Sequence, residues 1–215
     1  MQISFSPIRA DGALSVSVSG DVLTVNGQRL DLGALHEGGR LPAAAIPSAA
    51  FASDVTRHGG ALHLTLILPH SADAPEAVLF PETVTLSDGP CTAPGLVDHD
   101  GEVIDAVIDW AQVITPAAAI EAARAEWRAS RAVSKLDLLL ALVAAGAISE
   151  ESAMSTGIPA EFEQLVAAMP NPPHAEMRIR WAHLVDVPRM HPLILAVQSA
   201  LGWTDEQVDA LFGWP

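Results

Sequence analysis

Asp98, His99 and Asp100 form the part of this sequence that is densest in side chains able to bind a metal ion. Carboxylates and imidazole are ligands of divalent cations, and Glu102 and Asp105 follow shortly after them. Adjacent residues in one loop cannot all direct their side chains at a single ion. The sequence shows no second group of ligand residues, at a defined spacing from these, that would complete a site. Two interpretations stay open: a small metal-dependent hydrolase that uses the acidic loop 98–105, and an acidic, solvated connection.

The other reactive residue types are scattered along the chain. Cys91 stands between Pro90 and Thr92, without a basic neighbour that would favour its thiolate. His58 and His63 are five residues apart, so strand alternation predicts that they lie on opposite faces and do not share a metal ion. The sequence contains no Gly-x-Ser-x-Gly motif, and its glycines stand in turns. We therefore expect no catalytic residues and no cofactor.

Composition and charge exclude several classes of function. The chain has 215 residues, of which 50% are hydrophobic and 17% charged, with a formal net charge of −15. Residues 1–100 and 101–215 are both acidic, so neither half is suited to neutralising phosphates, and binding to nucleic acid or to an anionic membrane surface is disfavoured. Cys91 is the single cysteine, so no intrachain disulfide is possible. A reducing bacterial cytoplasm is the expected location.

The elements that must position these residues change character near residue 100. Before it, short alternating segments predict strands, and Asn26-Gly27 predicts a hairpin that pairs Val22–Val25 with 28–32. A second hairpin is predicted to turn at His58-Gly59-Gly60 and to return along 61–68, with four leucines on one face. We expect an antiparallel meander or sandwich of six or seven strands over residues 1–100.

After a polar junction near 87–102, residues 101–215 are predicted to form a bundle of about six short helices. Hydroxyl, proline and glycine residues mark the helix ends in the usual positions. These signals are Thr115-Pro116, Ser134 with Asp137, Gly146, Pro159, the prolines at 170–173, Pro192, Gly202, and the capping box at Thr204 and Gln207. Another helix is predicted over 175–187, with one apolar face formed by Met177, Trp181, Leu184 and Val185. The fold class is therefore α+β.

The last predicted helix carries an apolar face. Val208, Leu211 and Phe212 share one side of it, and Trp203 and Trp214 flank it in sequence. Two interpretations stay open. A neighbouring helix buries this face, or the five residues form an exposed carboxy-terminal patch that binds a partner protein.

Several segments of the sequence resemble segments of a known group of proteins. Residues 108–115 read Ile-Asp-Trp-Ala-Gln-Val-Ile-Thr before an Ala-, Arg- and Glu-rich helix. Further along stand Ser134-Lys135, Ala145-Gly146, Trp181, Arg189-Met190-His191-Pro192-Leu193, Leu201-Gly202-Trp203-Thr204 and Leu211-Phe212. The first phrase resembles one near the ends of bacteriophage tail-fibre and tail-assembly proteins. The later set is similar to proteins encoded among prophage tail genes.

This resemblance implies a role without a reaction. A non-enzymatic tail-associated structural or assembly protein is expected to act through protein–protein contacts with other phage tail or tail-assembly proteins. It also implies a homo-oligomer as one possible state, and incorporation into a phage particle as an alternative to a free cytoplasmic protein. The metal-dependent hydrolase remains the alternative, and a third interpretation is a peptide-binding adaptor with an exposed strand edge.

Overall fold

A computed structural model describes residues 1–168 and 174–214 of the chain. Strands dominate the first part and helices the second, which confirms the α+β class. The chain divides into two compact units, Met1–Ile120 and Glu121–Pro215. This division lies beyond the junction predicted near 87–102, because residues 104–114 bond to the strands of the first unit and Ile108 is buried in its core.

The first unit contains two five-stranded sheets. Its strands are β1 (Gln2–Arg9), β2 (Val16–Ser19), β3 (Val22–Val25), β4 (Gln28–Asp31), β5 (Arg40–Leu41), β6 (Val55–His58), β7 (Ala61–His70), β8 (Val84–Thr85), β9 (Asp88–Pro90) and β10 (Ile104–Asp105). The strand orders are β5-β6-β7-β1-β8 and β10-β4-β3-β2-β9. Short helical turns cover Ala43–Ala45, α1 (Glu76–Leu79) and Trp110–Gln112.

The prediction of antiparallel sheets is wrong in part, because each of the two sheets contains a parallel pair of strands. β1 runs parallel to β7 over its whole length, with Gln2 opposite His63, and β10 runs parallel to β4. Parallel neighbours are joined by long connections, so their pairing leaves no short turn signal in the sequence. Burial selects this arrangement, since Ile3 of β1 and its partner Leu64 of β7 are both in the core.

Both predicted hairpins are confirmed. Val25 pairs with Gln28 around Asn26 and Gly27, whose φ angles of 48° and 77° are the left-handed values that a type I′ turn needs. The Asn26 carboxamide oxygen also accepts a hydrogen bond from the Ser15 N–H at 2.8 Å. A Cβ added at Gly27 would collide with the ring of His99, so the glycine allows segment 99–102 to lie against the turn.

Leucines on alternate positions build the core of the first unit. Leu62, Leu64, Leu66 and Leu68 of β7 are all buried on one face, as their spacing predicts. Each leucine removed from water contributes about 1.5–3 kcal/mol before conformational entropy is subtracted. The first unit is therefore stabilised mainly by apolar contacts between its two sheets.

Apart from a two-stranded ribbon, the described residues of the second unit form helices and the turns between them. Its elements are α2 (Pro116–Ser130, which begins in the first unit), β11 (Ala132–Ser134), α3 (Lys135–Ala144), α4 (Glu150–Ala153), a 3-10 turn (Ala160–Phe162), α5 (Glu163–Ala168), α6 (His174–His183), β12 (Asp186–Pro188), α7 (Pro192–Leu201) and α8 (Asp205–Leu211). Its core includes Leu138, Leu142, Met177, Trp181 and Phe212. Within residues 1–168 and 174–214, no helix combines the length and the apolar character needed to cross a membrane.

The helix ends largely follow the predicted signals. The hydroxyls of Ser134 and Thr204 accept the backbone N–H groups of Asp137 and Gln207, and Gly202 ends α7 with a φ of 63°. The helix predicted to start at Pro159 begins there as the 3-10 turn and α5. Its predicted end at Met169 and the prolines that follow lie outside the described residues.

The helix predicted over 175–187 is wrong at its C-terminal end. α6 ends at His183, and Asp186–Pro188 pairs with β11 instead, with Val187 opposite Val133. Pro188 disfavours a helical conformation at Val187, and Val187 is fully buried in the ribbon. Val185, which was expected on the apolar face of the helix, is consequently exposed.

Candidate functional site

The acidic loop predicted to bind a metal borders an open cavity of about 420 Å³ in the first unit. Asp98, His99 and Asp100 line it together with hydroxyl and thiol side chains of β2, β3 and the loop after β9. His99 Nε2 lies 3.3 Å from the backbone oxygen of Glu102, and Asp105 is paired with Arg29 at 3.0 Å. Among the described residues, no three His, Cys, Asp or Glu side chains are grouped to hold a metal ion.

His58 and His63 lie together, contrary to the prediction from strand alternation. Their rings stack with centroids 3.5 Å apart and an angle of 11° between the planes. The two residues belong to β6 and β7, on either side of the hairpin turn, so counting along a single strand does not apply to them. Nearly parallel stacked rings direct their nitrogen lone pairs side by side rather than towards a common ion. We therefore assign the pair no metal.

Two of the five residues of the predicted partner patch are in the core. Val208 and Phe212 have 1% and 0% of their surface exposed, and α3 contacts α8. Of the two interpretations given above, burial of this face by a neighbouring helix is therefore the one that holds for these two side chains. They position α8 and cannot contact a partner without unfolding it.

The other three residues of that patch are partly exposed but do not form one surface with Val208 and Phe212. Trp203 and Leu211 line a shallow cavity of about 360 Å³. Trp214 packs edge-to-face on Trp127, with ring centroids 4.8 Å apart, and Arg124 lies over the Trp214 ring. A partner contact at Trp203, Leu211 and Trp214 stays a prediction.

A buried ionic cluster organises the second unit, and no pattern in the sequence predicted it. The carboxylate of Asp209, on α8, is fully buried and accepts hydrogen bonds from Arg128 Nε and Nη2 at 2.6–3.0 Å. Arg189 Nε donates to the same carboxylate at 2.7 Å, and its guanidinium also reaches Asp205. We call Arg128, Arg189, Asp205 and Asp209 the ionic cluster.

Electrostatics within the ionic cluster favour the charged forms of Asp205 and Arg128. The hydrogen bond from Gln198 lowers the pKa of Asp205, and the positive charges of Arg128 and Arg189 lower it further. The hydrogen bond to Asp209 raises the pKa of Arg128. Both oxygens of Asp209 are occupied by guanidinium groups, so this carboxylate is suited to holding α2, the segment before α7 and α8 together rather than to transferring protons.

A second feature absent from the predicted sites is the outer side of α3. Leu138 and Leu142 are buried on its inner side, whereas Leu136 and Leu140 are 66% and 59% exposed, one helical turn apart. Val185 lies beside the start of α3, since its carbonyl accepts the N–H of Lys135 at 2.8 Å. Its side chain is 77% exposed. We call Leu136, Leu140 and Val185 the α3 face. Apolar residues follow one another along this helix, so its sequence alone does not show which side packs.

His191 caps α7 through a side chain whose protonation depends on pH. Its Nδ1 accepts the N–H of Leu193 at 3.3 Å and thereby caps α7, while 9% of the residue is exposed. Burial lowers the pKa of His191, and the charge of Arg180 lowers it further. Protonation would remove the acceptor and place a positive charge at a helix N-terminus. A pKa lowered in the folded state means that the stabilisation is complete above the unfolded value of about 6.5 and is lost as the pH falls through the folded value.

The free energy of unfolding of the second unit is therefore expected to decrease between pH 7 and pH 5, and His191→Asn should flatten that decrease. Asparagine keeps a neutral acceptor at the cap but does not titrate in this range. Urea unfolding followed by tryptophan fluorescence at several pH values measures the slope. His191→Ala, which removes the acceptor as well, should lower stability throughout by about 0.5–2 kcal/mol. An Asn variant with the wild-type slope would contradict the assignment.

Comparison with known proteins adds no relative to this description. No protein-family model, curated protein or solved structure matches the chain. The function is accordingly inferred from the geometry of the two units, and in particular from apolar groups that the described residues leave accessible.

Proposed function

We propose that this protein is a non-enzymatic, prophage tail-associated structural or assembly protein that acts through protein–protein contacts. Its partners would be other phage tail or tail-assembly proteins, the class implied by the resemblance of its sequence. The observation that carries the proposal is the α3 face. Helices that are apolar on all sides are normally covered on all sides, and α3 is covered on one side only.

The chemistry around the α3 face indicates what kind of partner would cover it. Lys135 donates to the Trp181 carbonyl at 2.8 Å, and the Asp137 carboxylate accepts the Ser134 hydroxyl at 2.6 Å. These two charged groups next to Leu136 are thus already engaged within the unit. A partner would gain little from ion pairs there and would contribute mainly apolar side chains, such as the apolar stripe of a helix.

Leu136 and Leu140 would act as anchors of such a contact rather than as the whole of it. A stable interface buries about 800 Å² on each partner, which is more than three side chains supply. A few central apolar residues nevertheless carry most of the binding energy in such interfaces. Substituting them should therefore weaken a complex strongly without unfolding the chain, since both side chains are mostly exposed.

Light scattering of the purified protein mixed with the products of neighbouring genes tests the proposal. A hetero-complex is expected with one of them, and the double variant Leu136→Asp, Leu140→Asp should weaken it at least about 10-fold. Ile179→Asp, at an apolar position of α6 that is 63% exposed, is the matched control and should leave the mass of the complex unchanged. A complex that survives the double variant, or no complex with any neighbour, would refute the proposal.

A further inference from the structure

The two sheets of the first unit end in four edge strands that differ in how they are closed. β9 contains Pro90, which has no N–H to offer to a further strand. β5 is paired beyond its own sheet, since Arg40 exchanges two backbone hydrogen bonds with Ile114 at 2.8 and 3.0 Å. β8 consists of two residues, as β10 does, and Pro81 and Glu82 stand shortly before it. β10 has neither a proline nor a further bridge among the described residues.

The backbone at β10 is oriented to accept another strand. The N–H groups of Ile104 and Ala106 donate to the carbonyls of Gly27 and Arg29, at 2.7 and 2.8 Å, and so point towards β4. Backbone groups of successive residues in an extended chain alternate in direction, so the N–H of Asp105 points away from β4. We call residues 103–107 the β10 edge.

The side chains of the β10 edge match this orientation. Val103, Ile104 and Val107 are 49%, 64% and 87% exposed. β-branched residues fit the pleated surface between paired strands better than they fit water. An exposed edge with apolar β-branched residues is the kind that natural proteins otherwise protect with charge, proline or a covering element.

The acidic residues around the β10 edge favour a partner segment that carries positive charge. Residues 98–109 contain five acidic residues and no lysine or arginine. Asp105 is paired with Arg29, while Asp98 and Asp100 border the open cavity next to this segment. An approaching segment with basic residues would therefore be attracted, and an acidic one, such as most of this chain, would be repelled.

We propose that the β10 edge binds an extended, basic segment of a partner protein, which adds a strand next to β10. Backbone hydrogen bonds along this edge, beginning with the outward N–H of Asp105, would supply affinity. Apolar side chains against Val103, Ile104 and Val107, together with lysine or arginine near the five acids, would supply specificity. The inference adds to the proposed function the kind of partner that is bound. It rests on the proposed function in one respect, namely that the protein binds other proteins.

A fluorescein-labelled octapeptide of alternating lysine and valine, titrated with the full chain and followed by fluorescence anisotropy, tests the proposal. Binding is expected, and the same peptide N-methylated at every residue should bind at least about 10-fold more weakly, because it keeps the charge and loses the backbone donors. Val107→Lys should weaken binding of the unmodified peptide by a similar factor. Phe80→Lys, at another exposed apolar position of the first unit, adds the same charge elsewhere and should change the affinity by less than about twofold.

Three results would overturn the proposal. Equal binding of the N-methylated peptide would mean attraction to an acidic surface without strand addition. Unchanged affinity of Val107→Lys would place the site elsewhere, and a dimer of the chain that Val107→Lys abolishes would assign the β10 edge to a second copy. The variant Leu136→Asp, Leu140→Asp should bind the peptide normally, so a failure of the α3 face and a failure of the β10 edge are distinguishable.

Discussion

Replacing Asp209 by alanine is expected to lower the free energy of unfolding of the second unit by about 3–5 kcal/mol. The substitution leaves the guanidinium of Arg189, which is 1% exposed, without the buried carboxylate that neutralises it. Arg128 loses the same partner and keeps its ion pair with Asp205, whose side chain is half exposed. Breaking a buried pair from one side costs more than the pair contributed, because the remaining charge stays desolvated.

Urea unfolding followed by tryptophan fluorescence is the measurement, since Trp127, Trp181, Trp203 and Trp214 all lie in the second unit. Glu206→Gln is the control on the same helix. The Glu206 side chain is 64% exposed in its ion pair with Arg124, so its replacement should lower stability much less than replacement of Asp209. Equal effects of the two substitutions would show that the ionic cluster does not stabilise the unit in the way its burial indicates.

Replacing Trp181 by alanine is expected to lower the free energy of unfolding of the second unit by about 3–5 kcal/mol as well. The side chain is fully buried, and its indole N–H donates to the Gly157 carbonyl at 2.9 Å. Lys135 Nζ lies 4.8 Å from the ring centroid on its face. The substitution removes the apolar contacts, leaves a cavity and leaves the Gly157 carbonyl without the hydrogen bond from the indole.

Thermal or urea unfolding followed by circular dichroism at 222 nm measures this effect without relying on the removed fluorophore. Ile179→Ala, two residues earlier on α6 and mostly exposed, is the control and should change stability by less than about 0.5 kcal/mol. Trp181→Phe should fall between the two, because it keeps most of the volume and loses the hydrogen bond. A Trp181→Ala variant as stable as the control would mean that α6 does not belong to the core of the unit.

The sequence alone determined the features whose partners lie within a few residues. Asn26 and Gly27 adopt the left-handed turn that their side chains permit, and Ser134 and Thr204 cap helices by bonding to residues three positions away. Such interactions are formed by the local chain whatever surrounds it. The α+β class follows from many of them taken together, and so does the alternation that buries every second residue of β7.

Elements whose conformation depends on distant partners were not determined in this way. The parallel pairing of β1 with β7 joins residues some sixty positions apart, and nothing near either strand encodes it. The end of α6 is decided by the ribbon between β11 and β12, where Val187 pairs with Val133. His58 and His63 meet because a turn brings two strands together, although their separation in sequence predicted the opposite.

The candidate surfaces show the same limit. The sequence placed Val208 and Phe212 on an apolar helix face but did not reveal that the core covers them, and it did not distinguish Leu136 from Leu138. It contained Asp209, Arg128 and Arg189 without indicating that they meet. Hydrophobicity and charge are properties of single residues, and the sequence supplies them directly. Packing between elements far apart in the chain decides which of these residues are buried, and this is seen only in the tertiary structure.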